Sequence, residues 1–105
     1  MIELFLPRSA TRVVVYLEPI DVRWGEAKLA ALCRNVLEIE PDPFTCFLFV
    51  NRQHDTMVMY CACSDGAEVL LRKLTKGSFL VPAPEEQGRP YVILRPSMLP
   101  RLFRA

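Results

Sequence analysis

The chain has 105 residues, of which 51% are hydrophobic and 10% aromatic, and its formal net charge at pH 7 is +1. An apolar composition with little net charge excludes an intrinsically disordered chain, and the length suits one domain over residues 1–105. No run approaches the roughly 20 apolar residues that span a bilayer, and no basic segment followed by an apolar core marks a secretion signal. We therefore expect a cytoplasmic protein that does not contact membranes.

The first half of the chain predicts a strand followed by a helix. The β-branched run Arg12–Leu17 favours a strand, which Pro19 ends. Apolar residues then recur at helical spacing over about Trp24 to Glu38, which predicts an amphipathic helix. We expect Asp21 to cap the start of this helix and Gly25 to mark close backbone packing there.

The second half predicts mainly antiparallel strands joined by turns. Asp65-Gly66 predicts a tight hairpin turn with positive φ angles, and Lys76-Gly77 predicts another turn. The predicted strands are Phe47–Val50, Thr56–Cys63, Glu68–Leu74, Ser78–Val81 and Tyr91–Leu94. Residues 82–90 are expected to form a flexible loop, and a short helix follows from Pro96. The fold class is α+β: a small antiparallel sheet of hairpins or a meander, one main amphipathic helix and a short C-terminal helix.

Side chains that could support catalysis or metal binding are few. His54 is the only histidine, and it falls at a predicted hairpin tip, whereas Cys61 and Cys63 lie well along the following strand. The Cys-x-Cys spacing does not match the paired Cys-x-x-Cys groups of structural zinc sites. The four glycines are isolated, so a phosphate-binding loop is absent from the sequence. We predict no catalytic residues, no metal and no cofactor, with the four cysteines reduced and packed as small hydrophobes.

Basic residues near the predicted hairpin ends are the clearest candidate contact. Arg52 falls at one tip, and Arg72, Lys73 and Lys76 come at the end of the third hairpin strand, where they could engage phosphate if they share a rim. The alternative is that they are solvated strand edges that discourage aggregation. Arginines also continue to the C-terminus, among them Arg101 and Arg104, without an acid after Arg89. Trp24 and Phe44 are expected in the core, with exposed partner anchors as the alternative.

An ordered series of short motifs resembles one protein family. The motifs are Asp21–Gly25 (DVRWG), Leu29–Leu32 (LAAL), Asp42–Thr45 (DPFT), Leu48–Val50 with Arg52, Asp65-Gly66, and Arg72–Phe79 (RKLTKGSF) with Pro82. Together they resemble the TnpB accessory proteins, encoded by the second reading frame of IS-sixty-six type bacterial insertion sequences. The resemblance runs from about Arg12 to the C-terminus.

This resemblance implies a non-catalytic protein that assists a separate transposase encoded by the same element. The residues it marks as structural are Asp21, Gly25, Asp42, Pro43, Phe44, Gly66, Gly77 and Phe79. The residues expected at a nucleic-acid or partner contact are Arg23, Arg52, Arg72, Lys73, Lys76, Arg101 and Arg104.

Two hypotheses for its action follow. The sequence departs from the family pattern where it has Trp24 and Val58 in place of usual lysines, and each lost positive charge weakens DNA binding. Contact with the transposase or with the protein itself is therefore favoured, through an apolar patch or an open sheet edge. The alternative is a DNA-binding accessory factor. The oligomeric state and the strand order stay open.

Overall fold

Seven strands, one α-helix continued by a π-helical turn, and one 3-10 helix make up the part of the chain that the structure describes. This computed structural model describes Leu6, residues 9–85 and residues 88–104, with the side chains of residues 103 and 104 left out. In chain order the elements are β1 (Arg12–Tyr16), α1 (Glu26–Leu32), the π segment (Cys33–Leu37), β2 (Thr45–Val50), β3 (Thr56–Cys63), β4 (Gly66–Lys73), β5 (Ser78–Phe79), β6 (Tyr91–Leu94), the 3-10 helix (Pro96–Leu102) and β7 (Phe103–Arg104).

Five of the strands form one sheet in the order β4-β3-β2-β1-β6, and β5 pairs with β7 in a second, two-stranded sheet. The α+β class is confirmed, and the hairpins β2–β3 and β3–β4 are antiparallel as predicted. The sheet is mostly antiparallel, and it departs from the predicted antiparallel hairpins or meander where β1 and β2 run parallel, with Arg12 opposite Thr45. A parallel pair needs a crossover connection, which here contains α1 and the π segment.

The sheet buries apolar side chains on both of its faces. Val13 and Val15 of β1 point to one face, which the 3-10 helix covers with Leu99 and Leu102. Val14 points to the opposite face. That face is covered by the helical segment through Leu29, Ala30, Cys33 and Leu37. Burial on both faces explains why the strand sequences at the centre of the sheet are continuously apolar.

The helical segment is confirmed at Glu26–Leu37, but its predicted start is wrong in two details. Gly25 is the N-cap residue, with no side-chain capping bond. Asp21 lies four residues earlier and accepts a hydrogen bond from the Arg23 backbone N–H (2.9 Å) instead of capping the helix. A Cβ added at Gly25 would meet nothing within 4 Å, so the expected close packing is absent there.

The turns lie where the sequence predicts them, but their backbone angles differ from the prediction. The β3–β4 turn is Ser64–Asp65, and neither these residues nor Gly66 has a positive φ. Gly77 has φ of 77° in the turn before β5.

The last quarter of the chain is also close to the prediction. β5 is shorter than predicted, β6 and the 3-10 helix are confirmed, and β7 was not predicted. Residues 82–85 and 88–90 form neither helix nor strand, while residues 86 and 87 lie outside the described residues. The flexibility of this loop stays a prediction. Neither helical element in the described part of the chain has the length and apolar character needed to cross a membrane.

Candidate interaction surfaces

One end of the sheet gathers several of the predicted contact residues. The parallel strands β1 and β2 both end there, so the segments that follow them lie side by side. The Ile20 N–H donates to the Val50 carbonyl oxygen over 3.1 Å, which joins the two segments. The carboxyl ends of neighbouring parallel strands are a frequent location for ligand sites in sheet proteins.

The β2–β3 hairpin tip at this end is held by the side chain of Asn51. Its Oδ1 atom accepts from the backbone N–H groups of Asp55 and Thr56 at 3.1 and 3.0 Å, and its Nδ2 atom donates to the Asp55 carboxylate at 2.7 Å. The tip is also tied to the chain after β4. The Leu74 N–H donates to the Asp55 carbonyl at 2.7 Å, and the Phe79 N–H donates to the His54 carbonyl at 2.8 Å.

These backbone contacts place four predicted contact residues at the same end of the molecule, which we term the basic end: Arg23, Arg52, Lys73 and Lys76. All four side chains are exposed. Arg72 lies one residue further inside β4 and is half-buried. Of the predicted rim of Arg52, Arg72, Lys73 and Lys76, the backbone arrangement is thus compatible with Arg52, Lys73 and Lys76 as its exposed members.

Carboxylates at the basic end offset part of this charge. Asp21 forms an ion pair with Arg23 (Nη2 to Oδ2, 2.6 Å), and hydrogen bonds from Arg23 hold the pKa of Asp21 at about 2. Hydrogen bonds from Asn51 and Thr56, together with the charge of Lys73, lower the pKa of Asp55. Both carboxylates are therefore ionised at neutral pH, and the local excess of positive charge rests mainly on Arg52 and Lys76.

The two C-terminal candidates, Arg101 and Arg104, have different locations in the structure. Arg101 borders an apolar groove formed with Leu80, Pro82, Leu94, Met98 and Leu102. Arg104 lies in β7, with its backbone opposite Ser78. The predicted contact set therefore consists of a group at the basic end, Arg101 beside the 3-10 helix, and Arg104, whose backbone pairs with β5.

A second surface is the outer edge of β4, which sequence reasoning did not single out. β4 is the last strand of the sheet, so no strand of the described chain pairs with its outer side. Its side chains Val69, Leu70 and Leu71 are 41%, 37% and 57% exposed. Val69 and Leu71 lie on the face of the sheet that α1 covers, and Leu70 lies on the opposite face. The cover from α1 extends over the central strands but does not reach Val69 and Leu71, which stay accessible. The sequence signal was a strand that is apolar on both faces, next to a hairpin turn.

Three of the four thiols, Cys33, Cys46 and Cys61, are buried, whereas Cys63 lies beside β4. Cys46 on β2 is directly opposite Cys61 on β3, and both are buried. Contact with Cys46, together with burial, raises the pKa of Cys61. Cys63 is partly exposed, 3.9 Å from the Glu68 carboxylate. His54 is at the hairpin tip, remote from these thiols along β3. Among the described residues, no group of three or more His, Cys, Asp or Glu side chains is placed to hold a metal ion.

Several of the residues marked as structural by the family resemblance have identifiable local roles. Asp21 and Asp42 each accept a hydrogen bond from the backbone N–H two residues ahead, so DVR and DPF form equivalent turns before α1 and β2. Pro43 lies inside the second turn. Phe79 is fully buried, whereas Phe44 is 55% exposed, so the expectation of a core position for Phe44 is wrong.

The remaining aromatic candidate is half-buried. Trp24 lies beneath the Lys28 ammonium, which is 4.3 Å from the ring centroid. Trp24 also packs against the core on the helix side of the sheet, so it is neither fully buried nor a fully exposed anchor.

The architecture places the chain among small α+β proteins with an open sheet edge. The family model of IS66 Orf2-like proteins matches residues 11–103, and the chain belongs to this family. The comparisons with curated proteins and with solved structures found no match. The family is one of accessory proteins of insertion sequences and is not known as catalytic, so membership supports an accessory role in transposition.

Proposed function

We propose that the protein is a non-enzymatic accessory factor for transposition, acting in the bacterial cytoplasm by contact with the transposase of its element or with a second copy of itself. The observation that carries this proposal is the β4 edge, where three consecutive apolar residues are exposed on the outermost strand. Family membership supports a role in transposition, and the exposed β4 edge supports contact with another protein as the way in which the chain acts.

The two edges of the sheet differ in how well they are protected. β6 is only four residues long and is flanked by Pro90 and Pro96, which are features that limit strand addition. β4 is eight residues long and pairs with β3 in continuous register from Lys73 to Gly66. A long, regular, apolar edge presents unpaired backbone groups to which another strand can add.

The experiment replaces Val69 and Leu71 with lysine, because charged side chains on an edge strand oppose strand addition. We expect the double variant to reduce the frequency of transposition in cells about tenfold or more while its circular dichroism spectrum stays unchanged. Ile93→Lys is the matched control, since Ile93 is 37% exposed on the opposite edge. Transposition at the wild-type frequency in the Val69/Leu71 variant would refute a role for the β4 edge.

Contact with element DNA is the second candidate, and the basic end favours it. Phosphate contacts need only positive charge and donors, and Arg52 and Lys76 form no ion pair among the described residues. The partial neutralisation by Asp21 and Asp55 ranks this candidate below protein contact.

A titration with a duplex from the element end and a scrambled duplex tests DNA contact. If it occurs, binding weakens steeply with salt, and replacing Arg52, Lys73 and Lys76 with alanine lowers the salt slope by about 3, since each neutralised phosphate contributes roughly 0.9. Arg34→Ala is the control, because Arg34 lies on the helical segment and is paired with Glu40. Absence of binding at low salt would exclude this candidate.

A further inference from the structure

The backbone of β4 has a defined set of groups available to a new strand. The two-residue turn at Ser64–Asp65 makes Cys63 and Gly66 a hydrogen-bonded pair, and at the other end the Leu74 N–H donates to the Asp55 carbonyl. Hydrogen-bonded and non-hydrogen-bonded pairs alternate between these two ends. The residues whose backbone N–H and C=O groups point away from β3 are therefore Ala67, Val69, Leu71 and Lys73.

The sequence of β4 is complementary to itself when it is read in the opposite direction about Leu70. In an antiparallel pairing centred on Leu70, Val69 lies opposite Leu71 of the second copy, and Glu68 lies opposite Arg72 of the second copy. Val69 and Leu71, whose backbone N–H and C=O groups point away from β3, then form hydrogen-bonded pairs with each other across the two copies. This register therefore forms the backbone hydrogen bonds, places Glu68 opposite an arginine of unlike charge, and places apolar side chains next to each other.

Neighbouring registers are poorer. An antiparallel pairing must keep the residues whose backbone groups point away from β3 opposite one another. The nearest alternative registers are therefore centred on Val69 or on Leu71. Centring on Val69 puts Glu68 opposite Leu70 of the second copy, and centring on Leu71 puts Arg72 opposite Leu70 of the second copy. Each shift removes the Glu68–Arg72 opposition and places a charge opposite a leucine.

We propose that the protein forms a two-fold symmetric dimer by antiparallel pairing of β4 with β4 of a second copy, centred on Leu70. The two five-stranded sheets then join into one continuous sheet. The pairing places the exposed side chains of Val69 and Leu71 beside each other across the two copies, and it places Leu70, which lines an apolar pocket with Met59, beside Leu70 of the second copy. This inference rests on the proposed function, since it names a second copy as an occupant of the same edge.

The charge opposition provides a test that is specific to the register. Glu68→Arg places arginine at both positions 68 and 72, so like charges face each other in a dimer of this variant. Arg72→Glu places glutamate at both positions, with the same effect. A mixture of the two variants restores unlike charges at both positions and is expected to form a one-to-one heterodimer.

The measurement is the mass in solution, by light scattering and native mass spectrometry over a concentration series. We expect the wild type at twice the chain mass of 12.0 kDa, each variant alone at half the wild-type value, and the mixture at the dimer mass again. Glu85→Arg, in an exposed loop, is the matched control and is expected to stay dimeric. Thermal unfolding of each variant shows whether the fold persists, and recovery in the mixture also requires folded partners.

Three results would overturn the dimer. The first is a monomeric wild type at all concentrations. The second is that both single variants stay dimeric. The third is that two folded monomeric variants do not associate when mixed.

Transposition frequency, measured with these charge variants and with the Val69/Leu71 lysine variant, separates this inference from the proposed function. A monomeric wild type whose transposition depends on Val69 and Leu71 would retain the function, with the transposase as the occupant of the edge. A confirmed dimer whose disruption by Glu68→Arg or Arg72→Glu leaves transposition unchanged would retain the inference and refute self-contact as the means of the proposed function.

Discussion

The side chain of Asp21 shows how one residue organises the segment after β1. Its carboxylate accepts hydrogen bonds from the side chain and backbone of Arg23, and this lowers its pKa from the usual 3.8 to about 2. A depressed carboxyl pKa stabilises the folded state above pH 3.8, and that contribution is lost as the pH falls towards 2.

An NMR titration of the carboxyl carbon should therefore give Asp21 a midpoint near pH 2. Arg23→Ala is expected to move this midpoint up towards 3.8, because the guanidinium donors and their charge are removed while the backbone N–H of residue 23 still donates to the carboxylate. The pKa of Asp55, which is lowered by Asn51 and Thr56, is the internal control and should not change. An unchanged Asp21 midpoint in Arg23→Ala would contradict the assignment.

Burial controls the reactivity of the thiols. Cys33, at the start of the π segment, is fully buried, and this burial raises its pKa from 9.0 to about 12. The raised pKa contributes stability below pH 9, which is lost as the pH rises towards 12. Since the thiolate is the reactive form, alkylation of the folded protein at pH 8 should label the partly exposed Cys63 before Cys33. Peptide mapping of the alkylated chain measures this order, and the urea-unfolded chain, in which both thiols should react, is the control.

At the scale of elements, the turn before β5 depends on Gly77. Its φ of 77° lies in the left-handed region, where a side chain costs about 1–2 kcal/mol. We expect Gly77→Ala to lower the free energy of unfolding by about this amount. Gly66→Ala is the control: Gly66 lacks a positive φ and a Cβ there has open space, so its change should stay within about 0.5 kcal/mol. Equal losses in the two variants would show that backbone angle is not the cause.

The positions of most strands and of the helix could be predicted from local sequence, but the pairing of β1 with β2 could not. Apolar and β-branched residues predict strands at Arg12–Tyr16 and Thr45–Val50. Neither run contains a signal for the strand with which it pairs. One signal was available: both runs are continuously apolar and a helix separates them, which is typical of a parallel β-α-β unit. β7 was missed because a two-residue strand carries no periodicity.

The candidate surfaces were predictable only in part, because their residues come from distant parts of the chain. Arg52 and Lys76 could be named from charge alone, and the hydrogen bond between Phe79 and His54 brings their segments together. The exposure of Leu71 could not be predicted, because it depends on which strand forms the edge. Whether these residues contact a partner stays a prediction.

At the scale of the whole molecule, the sheet joins residues that are far apart in sequence. β1 is flanked by β2 on one side and by β6 on the other, and Val14 lies opposite both Phe47 and Ile93. A chain ending at residue 90 would lack β6 and the 3-10 helix, including the buried Leu99 and Leu102. It would leave β1 as an apolar edge and expose one face of the core.

We expect this truncated chain to show no cooperative unfolding transition and to aggregate, as measured by differential scanning calorimetry and sedimentation. A chain ending at Leu102 retains β6 and the 3-10 helix and is the control, with a cooperative transition expected at somewhat lower temperature. A cooperative transition in the shorter chain would show that residues 9–85 fold without the C-terminal elements.

The position of β1 between β2 and β6 also affects the time course of folding during synthesis. β1 and β2 leave the ribosome early, but the strand that completes the other side of β1 follows about forty residues after Val50. At roughly 5–20 residues per second, this separation amounts to several seconds of translation. The nascent chain therefore carries the open side of β1 throughout that interval, and the final sheet can close only after Leu94 has been added.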